Sequence, residues 1–173
     1  MAAKKSSKRN NSILAFLLAG VLMLAAWAWH TNSEEPAALA AGEIAVHFID
    51  VGQGDCALVA AQGRYMLIDG GERGNEDRVV KYLREQGVER LDYVVATHPH
   101  SDHIGGMADI IIRMEIGDML MPNVQHNTQT FENMLDAIIA RNVPVYSPTP
   151  GDTFMLGDAL VTVLAPFRLT KVT

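Results

Sequence analysis

Three imidazoles and a carboxylate fall within six residues at His98-Pro99-His100-Ser101-Asp102-His103. The apolar run Leu91–Ala96 ends just before them, and Met107, Ile110, Ile111 and Met114 follow at helical spacing. The cluster therefore sits in a loop where a strand gives way to a helix, which points to an α/β layered domain. Neutral imidazoles with a carboxylate are the donor set that a borderline divalent cation such as zinc prefers. In an extended segment the alternate residues His98 and His100 project to one side and can grip one ion. Asp102 and His103, one turn further on, can reach a second. Gly105 and Gly106 permit tight turning and close packing as the helix begins. The bland alternative is a surface histidine cluster, and the loop placement, the aspartate and the glycine pair together weigh against it.

The surrounding pattern supplies the other layers. Ile44–Asp50 alternates bulky residues at 44, 46 and 48, which predicts a strand burying that face. Cys56–Ala60 and Tyr65–Ile68 flank Gln62-Gly63-Arg64 and predict a β-hairpin. Asn75 is placed to cap a helix over 76–86, with Val79, Val80 and Leu83 on one face and Gly87 ending it. A strand is expected at 119–121. Phe131, Met134, Leu135 and Ile138 mark a helix ending near Asn142, and Val143–Tyr146 and Ala159–Leu164 read as strands. Opening hairpins followed by alternating helices and strands predict a mixed sheet. His47 lies within a strand and His126 in the loop Asn123–Asn127, and both read as structural or surface histidines.

The N-terminus differs in kind. Lys4, Lys5, Lys8 and Arg9 precede Ile13–Trp29, a stretch of 17 residues without a charge that closes on Trp27 and Trp29. A basic flank before an apolar run describes a segment handled by the secretion machinery, its positive end left in the cytoplasm. Residues 1–30 are expected to be a basic tail with a signal-anchor or transmembrane segment, membrane contact running through 13–29. Residues 31–42 read as a linker and 43–173 as the domain. The domain is then single-pass anchored outside the cell membrane, or secreted if cut at Ala38-Leu39-Ala40. Cys56 is the single cysteine, so no intrachain disulfide can form. Without the four early basic residues, ten Lys and Arg face 20 Asp and Glu, a balance near −10. That balance disfavours a broad nucleic-acid footprint, although bound cations could supply positive charge locally.

The pattern His98-x-His100-x-Asp102-His103 after an apolar strand, with Asp69-Gly70-Gly71 closing an earlier one, resembles the metallo-β-lactamase superfamily. The opening Val46-His-Phe-Ile-Asp-Val-Gly-Gln-Gly-Asp55 is similar to the ComEC-like branch, the hydrolase domains of competence proteins and their stand-alone relatives. The likeness runs through residues 44–165. It implies a four-layered αββα sandwich and two divalent ions, zinc first and manganese as the alternative. His98 and His100 would hold the first ion, and Asp102 and His103 the second. Water would attack at the dinuclear site with Asp102 orienting it, and Asp69 would support the metal loop from behind. Asp50, Gln53 and Asp55 match the branch's opening signature and are candidates for the cleft, with turn formation as the other explanation.

One departure matters. The family's later Gly-Asp, whose carboxylate bridges the ions, and its late histidine have no counterpart here. Gly157-Asp158 comes early and reads as a hairpin turn. The chain is therefore expected to carry about the first half to two-thirds of the sandwich, truncated at its C-terminal part. The leading expectation is an extracytoplasmic metal-dependent hydrolase acting on a small-molecule ester or nucleic-acid substrate, a phosphodiesterase or nuclease linked to DNA uptake. The alternatives are a lactonase, thioesterase or β-lactam hydrolase on the same residues, or a non-catalytic remnant that keeps one weak metal. No protein partner is identifiable.

Overall fold

In the computed structural model the described residues are 15–25, 27 and 39–165. Residues 15–25 are helical and exposed, within a unit Met1–Pro36 that is separate from the unit Ala37–Thr173. Among the described residues no helix is long and apolar enough to cross a membrane. The expected anchor over 13–29 lies partly outside the described residues, at 13, 14, 26, 28 and 29, and so does Ala38 of the cleavage-like sequence.

The second unit is built from β1 (Ile44–Phe48), β2 (Ala57–Ala61), β3 (Arg64–Ile68), α1 (Glu76–Glu85), β4 (Arg90–Val95), α2 (Ser101–Ile104), α3 (Met107–Arg113), β5 (Glu115–Leu120), α4 (Gln129–Arg141), β6 (Val145–Tyr146), β7 (Thr153–Leu156) and β8 (Ala159–Thr162). Strands β1 to β6 form one sheet in sequence order. The first three run antiparallel, and β3 to β6 run parallel, so the sheet is mixed as expected. The β2–β3 hairpin closes through Gln62-Gly63 with both residues at positive φ, the two-residue turn that matches strand twist.

Helices α1, α3 and α4 form one layer over this sheet, with α3 in contact with both α1 and α4. Val79, Val80 and Leu83 of α1 are fully buried there, each contributing about 1.5–3 kcal/mol of apolar transfer. Two helix ends follow the sequence signals. The Val88 amide donates to Leu83 O at 2.9 Å past Gly87, and the Val143 amide donates to Ile138 O at 3.0 Å past Asn142, which is left-handed at φ 52. Asn75 departs from expectation. It occupies the N-cap position of α1 with helical dihedrals, and its side chain donates to Glu72 O instead of capping the helix.

The face of β1 is a second correction. Ile44, Val46 and Phe48 are 56%, 51% and 87% exposed, while Ile49 is buried and His47 Nδ1 pairs with the Tyr82 hydroxyl of α1 at 2.8 Å. The odd-numbered face of this edge strand is the one that meets the helices. Strict alternation distinguishes two faces without saying which is covered. On the opposite side lies the hairpin β7–β8, a two-stranded second sheet turning at Gly157-Asp158. Its Leu156 packs with Ala61 and Met66, and the Phe154 ring lies 4.5 Å from that of Tyr93. Strand β7 has no counterpart among the elements expected from sequence. Helix layer, six-stranded sheet and two-stranded sheet give an α/β/β order.

Candidate metal centre

Strands β4 and β5 are parallel, so the segments that leave them emerge at one end of the sheet, where ligand sites of open α/β sheets gather. The loop Thr97–His100 leaves β4 there and passes into the short helix α2, which carries Asp102 and His103. Backbone hydrogen bonds tie this loop to two earlier segments. Gly70 N donates to His103 O at 2.7 Å, Gly106 N to Gly71 O at 3.1 Å, and Gly71 N to Asp55 O at 3.0 Å. The approach is close throughout: a Cβ at Gly105 would lie 2.3 Å from Arg73 N, and one at Gly54 would lie 1.7 Å from Asp102 O. The Gly pair after the histidines thus serves the close packing its sequence position implied.

Asp69 is the organising side chain. It is 1% exposed and sits at a positive φ of 58, a strained position for any residue with a Cβ. Its Oδ1 accepts from the Thr97 amide at 2.9 Å, and its Oδ2 accepts from the Thr97 hydroxyl at 2.6 Å. Nδ1 of His103 lies 2.8 Å from the same Oδ2. A carboxylate only accepts, so the proton of His103 is on Nδ1 and its Nε2 presents a lone pair. The Thr97 hydroxyl has given its one proton to Asp69, so it accepts from His98 Nδ1 at 3.1 Å, and His98 likewise presents Nε2. One buried carboxylate, with Thr97 as relay, thereby sets the tautomers of two imidazoles.

The rings converge. His98 and His103 have centroids 4.0 Å apart, His98 and His100 4.6 Å apart, and Asp102 Oδ2 lies 3.8 Å from His103 Nε2. The last distance is near the roughly 3.3 Å between two ligand atoms on a tetrahedral zinc. Exposure grades across the group, with His98, Asp102 and His103 half-buried and His100 open. The structure thus places the rings of His98, His100 and His103 and the Asp102 carboxylate side by side with Asp69 behind them, the donor types a divalent cation takes, but no three of these four bring ligand atoms within 4.8 Å of one another as Asp55, Asp69 and His103 do. Because His98 is nearer His103 than His100, the spacing of the rings does not divide the four ligands into two pairs.

The three polar candidates of the opening motif separate in role. Asp50 is exposed, accepts from Gly52 N at 3.0 Å and faces Arg78, so it forms its turn. Gln53 is exposed. Asp55 alone approaches the centre, with Oδ2 3.7 Å from His103 Nδ1. Asp55, Asp69 and His103 could formally enclose an ion among themselves. Nδ1 of His103 is engaged by Asp69 at 2.8 Å, which leaves Nε2 as the open nitrogen of the ring.

Two residues take on roles that their sequence positions do not announce. Thr97 reads in sequence only as the residue before the histidines, and its relay needs the Asp69 hydrogen bonds to become visible. His126 reads as structural or surface, yet its ring centroid lies 6.3 Å from that of His100. His126 follows β5, the parallel neighbour of β4, and only the strand order reveals that both loops share one end.

Cys56 lies behind Asp69 and is buried. Burial first, and the negative Asp69 second, push its thiol up to about 12. It is an inert core group, and alkylation at pH 8 is expected only after unfolding. Because the folded state keeps the proton that the unfolded thiol releases above about 8.5, stability should fall as pH rises through that value. Substitution of Cys56 by Ala should flatten this alkaline decline in denaturant unfolding measured between pH 8 and 10.5, whereas an unchanged slope would assign the decline to other groups.

A family profile described as the metallo-beta-lactamase superfamily matches residues 49–166. The chain belongs to that superfamily. It is 26% identical over 139 residues to ComE operon protein 3 of Bacillus subtilis (strain 168), a match covering 70% of this chain and 18% of that protein. Over 87 residues it is 39% identical to competence protein ComA of Neisseria gonorrhoeae, covering 50% of this chain and 12% of that one. The superfamily member is thus similar to competence proteins of the ComEC-like branch, and spans less than a fifth of the length of these relatives. Among solved structures, the metallo-beta-lactamase SMB-1 matches with a TM-score of 0.52 at 19% identity, covering 78% of this chain and 55% of that one. MEM-A1, a subclass B3 metallo-beta-lactamase isolated from a soil metagenome library, matches with a TM-score of 0.53 at 18% identity, covering 77% and 54%. At these identities the likeness shows the fold.

Proposed function

We propose that this superfamily member carries the metal-holding part of an extracytoplasmic, membrane-attached hydrolase that cleaves phosphodiesters. The observation that carries the reading is the Asp69–Thr97 network, which engages the Nδ1 atoms of His98 and His103 and leaves their Nε2 atoms free, that of His103 3.8 Å from Asp102 Oδ2. His98, His100, Asp102 and His103 would hold the divalent ions between them. When bound, the ions supply Lewis-acid activation of water and neutralise charge at the reacting ester. Asp102 also orients the attacking water by accepting its hydrogen bond. Asp69 keeps both imidazoles in the ligating tautomer, and Asp55 adds negative charge beside His103. The basic flank and apolar run before residue 30 support placement outside the membrane, and the competence proteins among its relatives favour a nucleic-acid ester.

The protein supplied with Zn2+ or Mn2+ should hydrolyse bis(p-nitrophenyl) phosphate and a single-stranded oligonucleotide, and EDTA should abolish both activities. Failure on both substrates with either metal would overturn the reading. Turnover of a lactone or thioester instead would assign the same residues to carboxylic esters, a second reading favoured by the net charge of −6, which repels polyanions.

A further inference from the structure

Beside the histidine cluster, at the same end of the sheet, the 121–126 loop, α4 and β6 line an open groove of about 350 Å³. It continues toward the centre. A narrow crevice between His98 and Val124 shares Met121, Pro122, Val124 and Phe131 with it. His126 stands at the junction, its ring 6.3 Å from that of His100 on one side and 6.2 Å from Phe131 on the other. Nδ1 of His126 is engaged with the Thr128 hydroxyl at 2.9 Å, the same hydroxyl that caps α4, which leaves Nε2 as its open polar atom.

We propose that this groove is a subsite for the nucleobase of a nucleotide ester whose phosphoryl group lies at the histidine cluster. The inference rests on the phosphodiester reading and adds the part of the substrate the centre itself does not contact. The lining offers the His126 ring, amides that both donate and accept (Asn123, Gln125) and a hydroxyl (Ser147) over an apolar floor in which Phe131 is buried. A nucleobase offers the complement, a planar π-face with an edge of alternating donors and acceptors. No Lys, Arg, Asp or Glu lines the groove, so it selects neither for the phosphate backbone nor for a cation. A base stacked here should tighten binding by about 10- to 100-fold over an ester lacking one.

The test uses the whole, metal-free protein, with amide chemical shifts followed while adenosine or thymidine is added. The subsite predicts saturable shifts at Asn123, Gln125, His126 and Ser147 with a Kd on the order of 1 mM, weakened by His126→Ala with the rest of the spectrum unchanged. As a second measurement, thymidine 5′-(p-nitrophenyl phosphate) should have a KM at least about 10-fold below that of methyl p-nitrophenyl phosphate in the metal-loaded protein. Shifts confined to residues 97–103, no shifts at all, or stronger shifts at these positions with hexanoate than with nucleosides would each overturn the subsite. Nucleosides carry no reacting ester, so failure of the hydrolytic reading and failure of the subsite are distinguishable. Groove shifts without turnover would refute the former alone, and turnover without groove shifts the latter alone.

Discussion

Replacing Asp69 by Asn is expected to weaken divalent-metal binding by about 100-fold, because the supports of two imidazoles proposed as ligands fail together. Asn suits the positive φ of this position and matches the shape of Asp, so the backbone should survive. The chemistry does not. An amide has one accepting oxygen where the carboxylate has two, and its NH2 group would face the Thr97 hydroxyl and His103 Nδ1, both of which now donate. His103 would relieve the conflict by moving its proton to Nε2, which removes the lone pair from that nitrogen. Thr97 would lose the partner that leaves it free to accept from His98. Buried unsatisfied donors add a stability cost of about 1–3 kcal/mol. The relay itself can be isolated: Thr97→Val should cost about 10-fold in metal affinity, with Thr97→Ser restoring most of it. Competition titration against a chromophoric chelator measures all three. An Asp69→Asn protein within threefold of the parent would mean that Asp69 serves folding and not the ligands.

Gly54→Ala should destabilise the domain by about 3 kcal/mol or more, a Tm loss of about 6–12 °C for a chain of this size. Two effects combine there. The residue sits at φ +94, and a Cβ would lie 1.7 Å from the carbonyl oxygen of Asp102. Backbone, not a flexible side-chain end, blocks the way, so either the opening turn or the helix bearing Asp102 and His103 has to move. Metal affinity should therefore fall together with stability. Gly52 provides the control, since it also has positive φ, at +73, but open space around its Cβ position. Gly52→Ala should cost only the backbone strain, about 1–2 kcal/mol, and leave metal affinity near the parent value. Equal losses for the two variants, read by denaturant unfolding, would show that conformation alone matters and that the Gly54–Asp102 approach does not position the loop.

The contrast between these two glycines bears on what the sequence discloses. The metal loop, Asp69 and the strand–loop–helix order are legible because they are local: donor types, apolar period and Gly placement all lie within a few residues of one another. The hairpin over Gln62-Gly63 and the end of α1 at Gly87 are legible for the same reason. Features that depend on what packs where are not. Alternation along β1 points Ile44, Val46 and Phe48 inward, because bulk alone does not reveal that His47 and Ile49 meet α1. Asn75 holds a cap position without making the cap, since a nearby carbonyl competes for its side chain. Thr97 and His126 gain their places only when β3, β4 and β5 are side by side. Asp50, Gln53 and Asp55 share a motif, and only the fold shows that Asp55 alone approaches the histidines.

His98, His100, Asp102 and His103 are proposed to form a divalent-metal site preset by Asp69. Zinc titration of the metal-free protein at neutral pH, with bound metal counted by elemental analysis, tests it most directly when the parent is set beside a His98→Ala, His103→Ala double variant. The parent should bind saturably and the double variant at least about 100-fold more weakly, both keeping the same unfolding cooperativity. Equal binding by the two proteins, or a parent affinity no tighter than the order of 1 mM, would contradict the proposed site.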